Sequence, residues 1–464
     1  MRVLMAGDEK SRLYHEIVRR TSEQVLLERM RLYGFWPANL PLPPDPPEEA
    51  AERQRIAAEL AQLRRTQSKV KDPDKALAEE RKRRWQESKK RRAERKLKRE
   101  QERQQRRQAW DEFRQTTITH AGLGVSAGLP HVESDGEELE RRGLPWLHTA
   151  ADLAARMEIA LSSLRWLTYH RNGATVVHYH RYEVEKKTGG ARCISAPKPA
   201  LKIAQQWVFD HILSKLDVDD SAHGFVPGRS ILTNAAGHTG KAVVINLDMK
   251  EFFPSITFRR VKGLFRKLGY GEHVATLLAL LCTEPPRTAI EVDGKVYHVA
   301  LGQRMLPQGA CTSPAITNAL CRRLDRRLAG LGRKHNFTYT RYADDLTFSG
   351  DNGKAVGKLL RSVRGIVELE GFREHPRKTK VMRCGRRQEV TGLTVNLKPQ
   401  VGRKHLRELR AILHNAAKHG LASQNRAGRA DFAAYLRGRV EFVCMVDPAG
   451  AAKWRAQLAK ALAE

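Results

Sequence analysis

The run Phe337-Thr338-Tyr339-Thr340-Arg341-Tyr342-Ala343-Asp344-Asp345-Leu346-Thr347-Phe348-Ser349 restricts the possible folds of this chain more than any other stretch. Aromatic and β-branched residues flank a short polar centre, the pattern of a β-hairpin whose turn presents two adjacent carboxylates. Such aspartates repel each other, and a use that offsets the repulsion is binding divalent cations, since Mg²⁺ favours carboxylate and phosphate oxygens. A lone Asp-Asp pair is nevertheless more often a capped turn. A second segment strengthens the metal reading: Ala242-Val243-Val244-Ile245-Asn246-Leu247-Asp248 reads as a buried strand ending in a carboxylate, followed at once by Phe252, Phe253 and Pro254. A strand-end Asp and a hairpin carboxylate can hold two metal ions about 4 Å apart, the arrangement that serves nucleotidyl transfer.

Composition points the same way. The 84 Lys and Arg against 52 Asp and Glu leave a formal charge of +32, which calls for a polyanionic partner, with nucleic acid first among them. No apolar run approaches the roughly 20 residues that span a bilayer. Residues Met1 to Asp8 lack a secretion signal, so a cytoplasmic location is expected and no membrane partner. Cys193, Cys282, Cys311, Cys321, Cys384 and Cys444 form no Cys-x-x-Cys pair, which argues against a zinc knuckle or a disulfide framework.

Along the chain, Pro41, Pro43, Pro44, Pro46 and Pro47 interrupt any regular element and mark a linker. From Glu48 to Arg114 the sequence lacks glycine and favours long helices. Within it, residues 81 to 107 carry 15 basic and 4 acidic side chains, a net of +11. As a helix this stretch is a basic rod of roughly 40 Å, either solvated or laid along a phosphate backbone. Near Thr117 glycines and alternating apolar residues begin, and the chain reads as globular. From Val401 it is helical again, with Leu406, Leu409, Ile412 and Leu413 on one face and Gly420 as the stop.

Three motifs now stand in order: strand-Asp248-x-x-x-Phe-Phe-Pro-Ser-Ile256, Leu306-Pro307-Gln308-Gly309-x-x-x-Ser313-Pro314, and Tyr342-Ala343-Asp344-Asp345. Together they resemble reverse transcriptases, over about residues 120 to 445. The resemblance implies an α+β right-hand polymerase of fingers, palm with a β-sheet, and helical thumb. A basic, largely helical extension would occupy 1–115, fingers with the start of the palm 116–240, the palm with the remaining fingers elements 241–398, and the thumb 399–464. It implies Asp248, Asp344 and Asp345 as ligands of two Mg²⁺ ions, and Lys378 as the group that approaches and protonates the leaving pyrophosphate. His375 stands where relatives commonly carry Asn. Phe253 would stack under the incoming sugar and exclude a ribose 2′-hydroxyl, with core packing as its plainer alternative. Gln308 and Gly309 would lie against the nascent base pair. Lys186 and Arg192, on either side of Gly189-Gly190, would hold the triphosphate of a deoxynucleotide.

Asn234-Ala235-Ala236-Gly237-His238 and Val390-Thr391-Gly392 look like marks of bacterial retron reverse transcriptases. That resemblance implies a cognate structured noncoding RNA, priming from a guanosine 2′-hydroxyl, a branched RNA–DNA hybrid product, and a place in antiphage defence with a separate effector protein. Asn234 and His238 would hydrogen-bond RNA, or else form a polar cap within the fold. Arg403, Lys404, Arg407 and Arg410 would grip an RNA stem by its phosphates. The residues beyond Pro399 leave no room for ribonuclease H, so a host enzyme would remove the template. Intron-encoded and diversity-generating reverse transcriptases share the three aspartates but not the paired marks. A noncatalytic RNA-binding scaffold would have little reason to keep three mutually repelling aspartates.

Overall fold

The computed structural model describes residues 28–37, 39–40, 55, 58–64, 73–185 and 189–463. They fall into two compact units. The first holds the described residues up to Ser134, with Leu147–Arg171 and Tyr270–Leu277. Its main element is helix α1, Pro73–Thr116, 44 residues of strong helix formers. At the C-terminal end of α1, Trp110 stacks on Trp36 and on Phe113, with ring centroids 6.2 and 5.9 Å apart. The same unit contains α2, Ala150–Arg156, which starts at a Thr149 and Asp152 capping box, and α3, Leu161–Thr168.

The second unit holds Asp135–Trp146, Asn172–Gly269 and the chain from Leu278 onward. It begins with an antiparallel hairpin of β1, Tyr179–Glu185, and β2, Ala191–Pro197, followed by helix α4, Pro199–His211. Helix α5, Ile231–Ala236, is capped by Ser230 and leads into β3, Val243–Asp248. Helix α6, Thr312–Lys334, precedes the hairpin of β4, Phe337–Tyr342, and β5, Asp345–Gly350. After helix α7, Val356–Leu369, strand β6, Lys380–Arg383, completes an antiparallel sheet in the order β4-β5-β3-β6.

The sheet is a core element because β3 is apolar on both faces: Val243, Val244, Ile245 and Leu247 are all buried. Helix α6 covers the sheet with residues at helical spacing, among them Ile316, Cys321, Leu324 and Leu328. At the C-terminal end, α8, Arg403–His419, α9, Phe432–Val446, and α10, Ala451–Leu462, bury Leu409, Leu413, Leu436, Val440, Trp454 and Leu458 in one cluster. Gly420 ends α8 with φ +79°, as the sequence predicts. All six cysteines are free. Among the described residues no helix is long and apolar enough to cross a membrane.

One buried histidine ties this sheet together. His238 places its two ring nitrogens 2.7 Å from the Ser349 and Thr340 hydroxyls, bridging β5 and β4. Burial, with a smaller push from His223, holds its pKa down to about 3. The unfolded imidazole gains a proton below about 6.5, and the folded one does not until far lower. Stability present above that ordinary value is therefore lost as pH falls through it. We expect the chain to lose about 2 kcal/mol between pH 7.5 and pH 5 through this residue alone. Urea unfolding of wild type and His238→Gln across that range tests it; identical pH slopes would rule it out.

Candidate active site

Antiparallel register brings the carboxylates together. Asp248 ends β3 opposite Asp345, which opens β5, and the Met249 N–H donates to the Asp344 carbonyl at 3.0 Å. The two-residue turn of Ala343 and Asp344 needs a left-handed first position, which Ala343 adopts with φ +56°. On the other side of Asp248, the His375 N–H donates to its carbonyl at 2.7 Å. The Lys378 Nζ donates to both Asp248 carboxylate oxygens, at 3.0 and 2.9 Å. Glu374 bonds Arg364 and Thr379 and so anchors the segment that carries Lys378.

The electrostatics are those of a cluster short of positive charge. Burial and then the Asp248 carboxylate raise the pKa of Asp344, against the pull of Lys378 and Arg192. Asp345 is pushed up to about 7 by desolvation first, then by Asp344 and Asp248. Asp345 is exposed on the hairpin, so water screens part of this repulsion. Among the described residues no three His, Cys, Asp or Glu side chains already converge on a metal position, and the cation at Asp248 is the Lys378 ammonium. An all-oxygen donor set, in which the Asp248 charge raises the pKa of Asp344 and both raise that of Asp345, fits hard divalent cations rather than soft ones.

Beneath the hairpin lies a buried network that sequence reasoning missed. Arg341 and Asp325 are fully buried and form a two-pronged pair at 2.8 and 2.7 Å. Arg341 also donates to Asn318 Oδ1 at 3.0 Å and to the Ala343 carbonyl at 3.2 Å, so the guanidinium supports the turn that presents Asp344. Burial and the Asp325 charge hold the Tyr339 phenol far above its ordinary value, and it donates to Asp325 at 2.8 Å. A signal was present: Asp325 sits on the apolar stripe of α6 between Leu324 and Leu328, and Arg341 shares the inward side of β4 with Tyr339. A charge in such a place needs a partner.

The other expected residues divide. Lys186 lies outside the described residues. Arg192, exposed on β2, is close enough to lower the Asp344 pKa. The Gln308 carbonyl accepts from the Ser195 N–H at 2.7 Å. Gly309 has φ +112°, and a Cβ there would sit 2.9 Å from Ile194 Cγ2, so its backbone lies close against β2. Phe253 is half-buried and packs on Phe252, with centroids 5.7 Å apart. Arg403, Lys404, Arg407 and Arg410 are exposed on α8, and Arg410 also lies over the Trp454 ring at 5.3 Å.

Asn234 and His238 are a correction. Direct hydrogen bonding to RNA needs surface positions, but both side chains are fully buried. On α5, which Ser230 caps, Asn234 and Ala235 are the buried residues. His238 is taken up by Ser349 and Thr340, and Asn234 has neither side-chain polar atom hydrogen-bonded. The Thr391 hydroxyl donates to the Ile231 carbonyl at 3.1 Å, tying the Val390-Thr391-Gly392 mark to the start of α5, the helix that carries Asn234.

A palm sheet with its carboxylates at adjacent strand ends, helix-backed and followed by a helical C-terminal bundle, is the fold of a right-hand polymerase. Residues 184–413 match the family "Reverse transcriptase (RNA-dependent DNA polymerase)". The class is thus an RNA-directed DNA polymerase, whose substrates are an RNA template and nucleotides. The chain is 46% identical over 376 residues to the Retron Mx162 reverse transcriptase of Myxococcus xanthus, covering 76% of each. It is 46% identical over 314 residues to the Retron Mx65 reverse transcriptase of the same organism, covering 68% of this chain and 72% of the relative. To the Retron Ec86 reverse transcriptase of Escherichia coli it is 32% identical over 312 residues, covering 67% and 88%. This chain belongs to the retron reverse transcriptases.

Proposed function

We propose that this enzyme recognises its own structured noncoding RNA, starts synthesis from the 2′-hydroxyl of a particular guanosine, and makes branched multicopy single-stranded DNA. The observation that carries the reading is the 46% identity to a retron reverse transcriptase over 76% of its length. Asp248, Asp344 and Asp345 would hold two Mg²⁺ ions, which when bound supply positive charge to the attacking and departing oxygens. Lys378, already bonded to Asp248, is the neighbouring group with a proton to give the departing pyrophosphate. Arg192 and Lys186 meet the triphosphate, Gln308 and Gly309 border the nascent pair, and the Phe253 ring closes the space a ribose 2′-hydroxyl needs.

Arg403, Lys404 and Arg407 grip an RNA stem through its phosphates. Helix α1 adds a second basic surface: Lys89, Arg92, Lys96, Arg99, Arg103 and Arg106 recur every three or four residues on one side. Glu87, Glu94 and Glu102 fall on the other, while Glu100 lies with the basic row, 4.0 Å from Lys96. The product acts in the cytoplasm in antiphage defence, with a separate effector protein and host ribonuclease H. Sequencing nucleic acid that copurifies with the protein tests the reading. We expect a short DNA joined 2′ to 5′ to RNA, absent when Asp344 and Asp345 are replaced by Ala. Linear products alone would overturn it.

A further inference from the structure

An exposed aromatic beside the catalytic turn is held where its own chemistry would not put it. Phe225 has φ +61° and is 55% exposed. Left-handed backbone is an outlier for a bulky side chain, and a large apolar ring gains nothing from water. Such a conformation persists only when its surroundings impose it, and residues of this kind gather at functional sites.

The surroundings here do impose it. The Arg229 guanidinium donates to the carbonyls of Asp219, Asp220 and Ala222 at 2.8, 3.1 and 2.6 Å, and pairs with the Asp220 carboxylate at 3.0 Å. Ala222 bridges in parallel to Arg341; the Arg341 N–H donates to the Ser221 carbonyl and the His223 N–H to the Arg341 carbonyl, each at 2.7 Å. The buried Asn318 amide donates to the Gly224 carbonyl at 3.0 Å. Gly224 itself lies so close to the hairpin that a Cβ would sit 2.5 Å from the Ala343 nitrogen. The loop is thus clamped from below, from its own end and from the turn.

The clamp leaves Phe225 between two rings of the site. Its centroid is 6.4 Å from Phe253, at 54°, and 6.5 Å from Tyr342, at 35°. Both are tilted contacts within the range in which aromatic pairs attract. Phe253 is otherwise backed by Phe252, which packs away from it onto Phe372 at 5.5 Å. Were Phe225 a core residue, it would be buried; instead, most of its surface remains open while its ring lies tilted against Phe253.

We infer that Phe225 is a positioning residue for sugar selection, bracing the Phe253 ring so that a nucleotide bearing a 2′-hydroxyl is excluded. The inference rests on the reading of Phe253 as the group that meets the sugar. Through the clamp, the brace is tied to the same Arg341 and Asn318 that support the carboxylate turn. Sugar selection and the position of the reacting groups therefore share one foundation.

The test measures kcat/KM for a deoxynucleotide and for its ribonucleotide counterpart on one primer and RNA template, using the full chain. Phe225→Ala should lower the deoxy preference about three- to tenfold, the weight of one aromatic pair, mainly by lowering KM for the ribonucleotide. Phe225→Gly, which removes the ring while relaxing the backbone at this φ, should do the same and guards against a folding defect. Phe225→Tyr should restore the preference. Phe253→Ala should lose more, and Phe225→Ala added to it should lose nothing further. An unchanged preference in both Phe225→Ala and Phe225→Gly, or an additive loss in the double variant, overturns the inference while leaving the Phe253 reading intact. A Phe253→Ala enzyme with wild-type preference overturns that reading and the inference with it.

Discussion

Replacing Asp344 by Asn is expected to lower primer extension by at least about a thousandfold, because the developing charge on the attacking and departing oxygens loses several kcal/mol of stabilisation. Stability is expected to move the other way. Burial and the Asp248 charge raise the Asp344 pKa, so at neutral pH its ionised form is held in the fold at a cost. A neutral amide of the same shape removes that repulsion, and the variant should unfold at the same temperature as wild type or a higher one. Single-turnover incorporation and thermal unfolding of the same preparation check both halves. Full activity would sink the mechanism; marked destabilisation would show that the carboxylate is needed for folding rather than chemistry.

The second large effect falls on the buried ion pair beneath the hairpin. Arg341 and Asp325 are both fully excluded from solvent and satisfy each other with two hydrogen bonds. Replacing either alone leaves an uncompensated buried charge, for which the expected loss is about 3–5 kcal/mol. Arg341→Leu should therefore unfold at markedly lower denaturant, and because Arg341 also bonds the Ala343 carbonyl, its residual folded fraction should extend primers poorly. The double variant Arg341→Leu with Asp325→Leu discriminates between causes. It leaves no bare charge, so it should recover much of the stability while activity stays low, since the turn has still lost its support. Urea midpoints and extension rates for the two singles and the double close the cycle; additive stability losses would refute the pairing argument.

Much of the site was legible before any fold was known. Asp248, Asp344 and Asp345 stand out because strand periodicity and turn chemistry are local, and the antiparallel register then sets Asp248 beside Asp345. The α8 stripe was readable for the same reason, with Leu409 and Leu413 buried and the arginines outside. His238 and Asn234 were not readable in this way. Polar residues four apart on a short helix suit an RNA surface or an interior cap equally well, and only the approach of Ser349 and Thr340, more than a hundred residues away, turns His238 inward.

The sequence by itself determined the strand that ends in Asp248, the hairpin that presents Asp344 and Asp345, the long basic helix and the helix after Val401, because residue type and short-range spacing decide such elements. Only the tertiary structure decided what those residues face. The Lys378 ammonium on Asp248, the Asp325 carboxylate under Arg341 and the Phe225 ring against Phe253 are each set by partners distant in the chain. Burial and charge pairing are properties of what surrounds a side chain, and no local pattern encodes its neighbours.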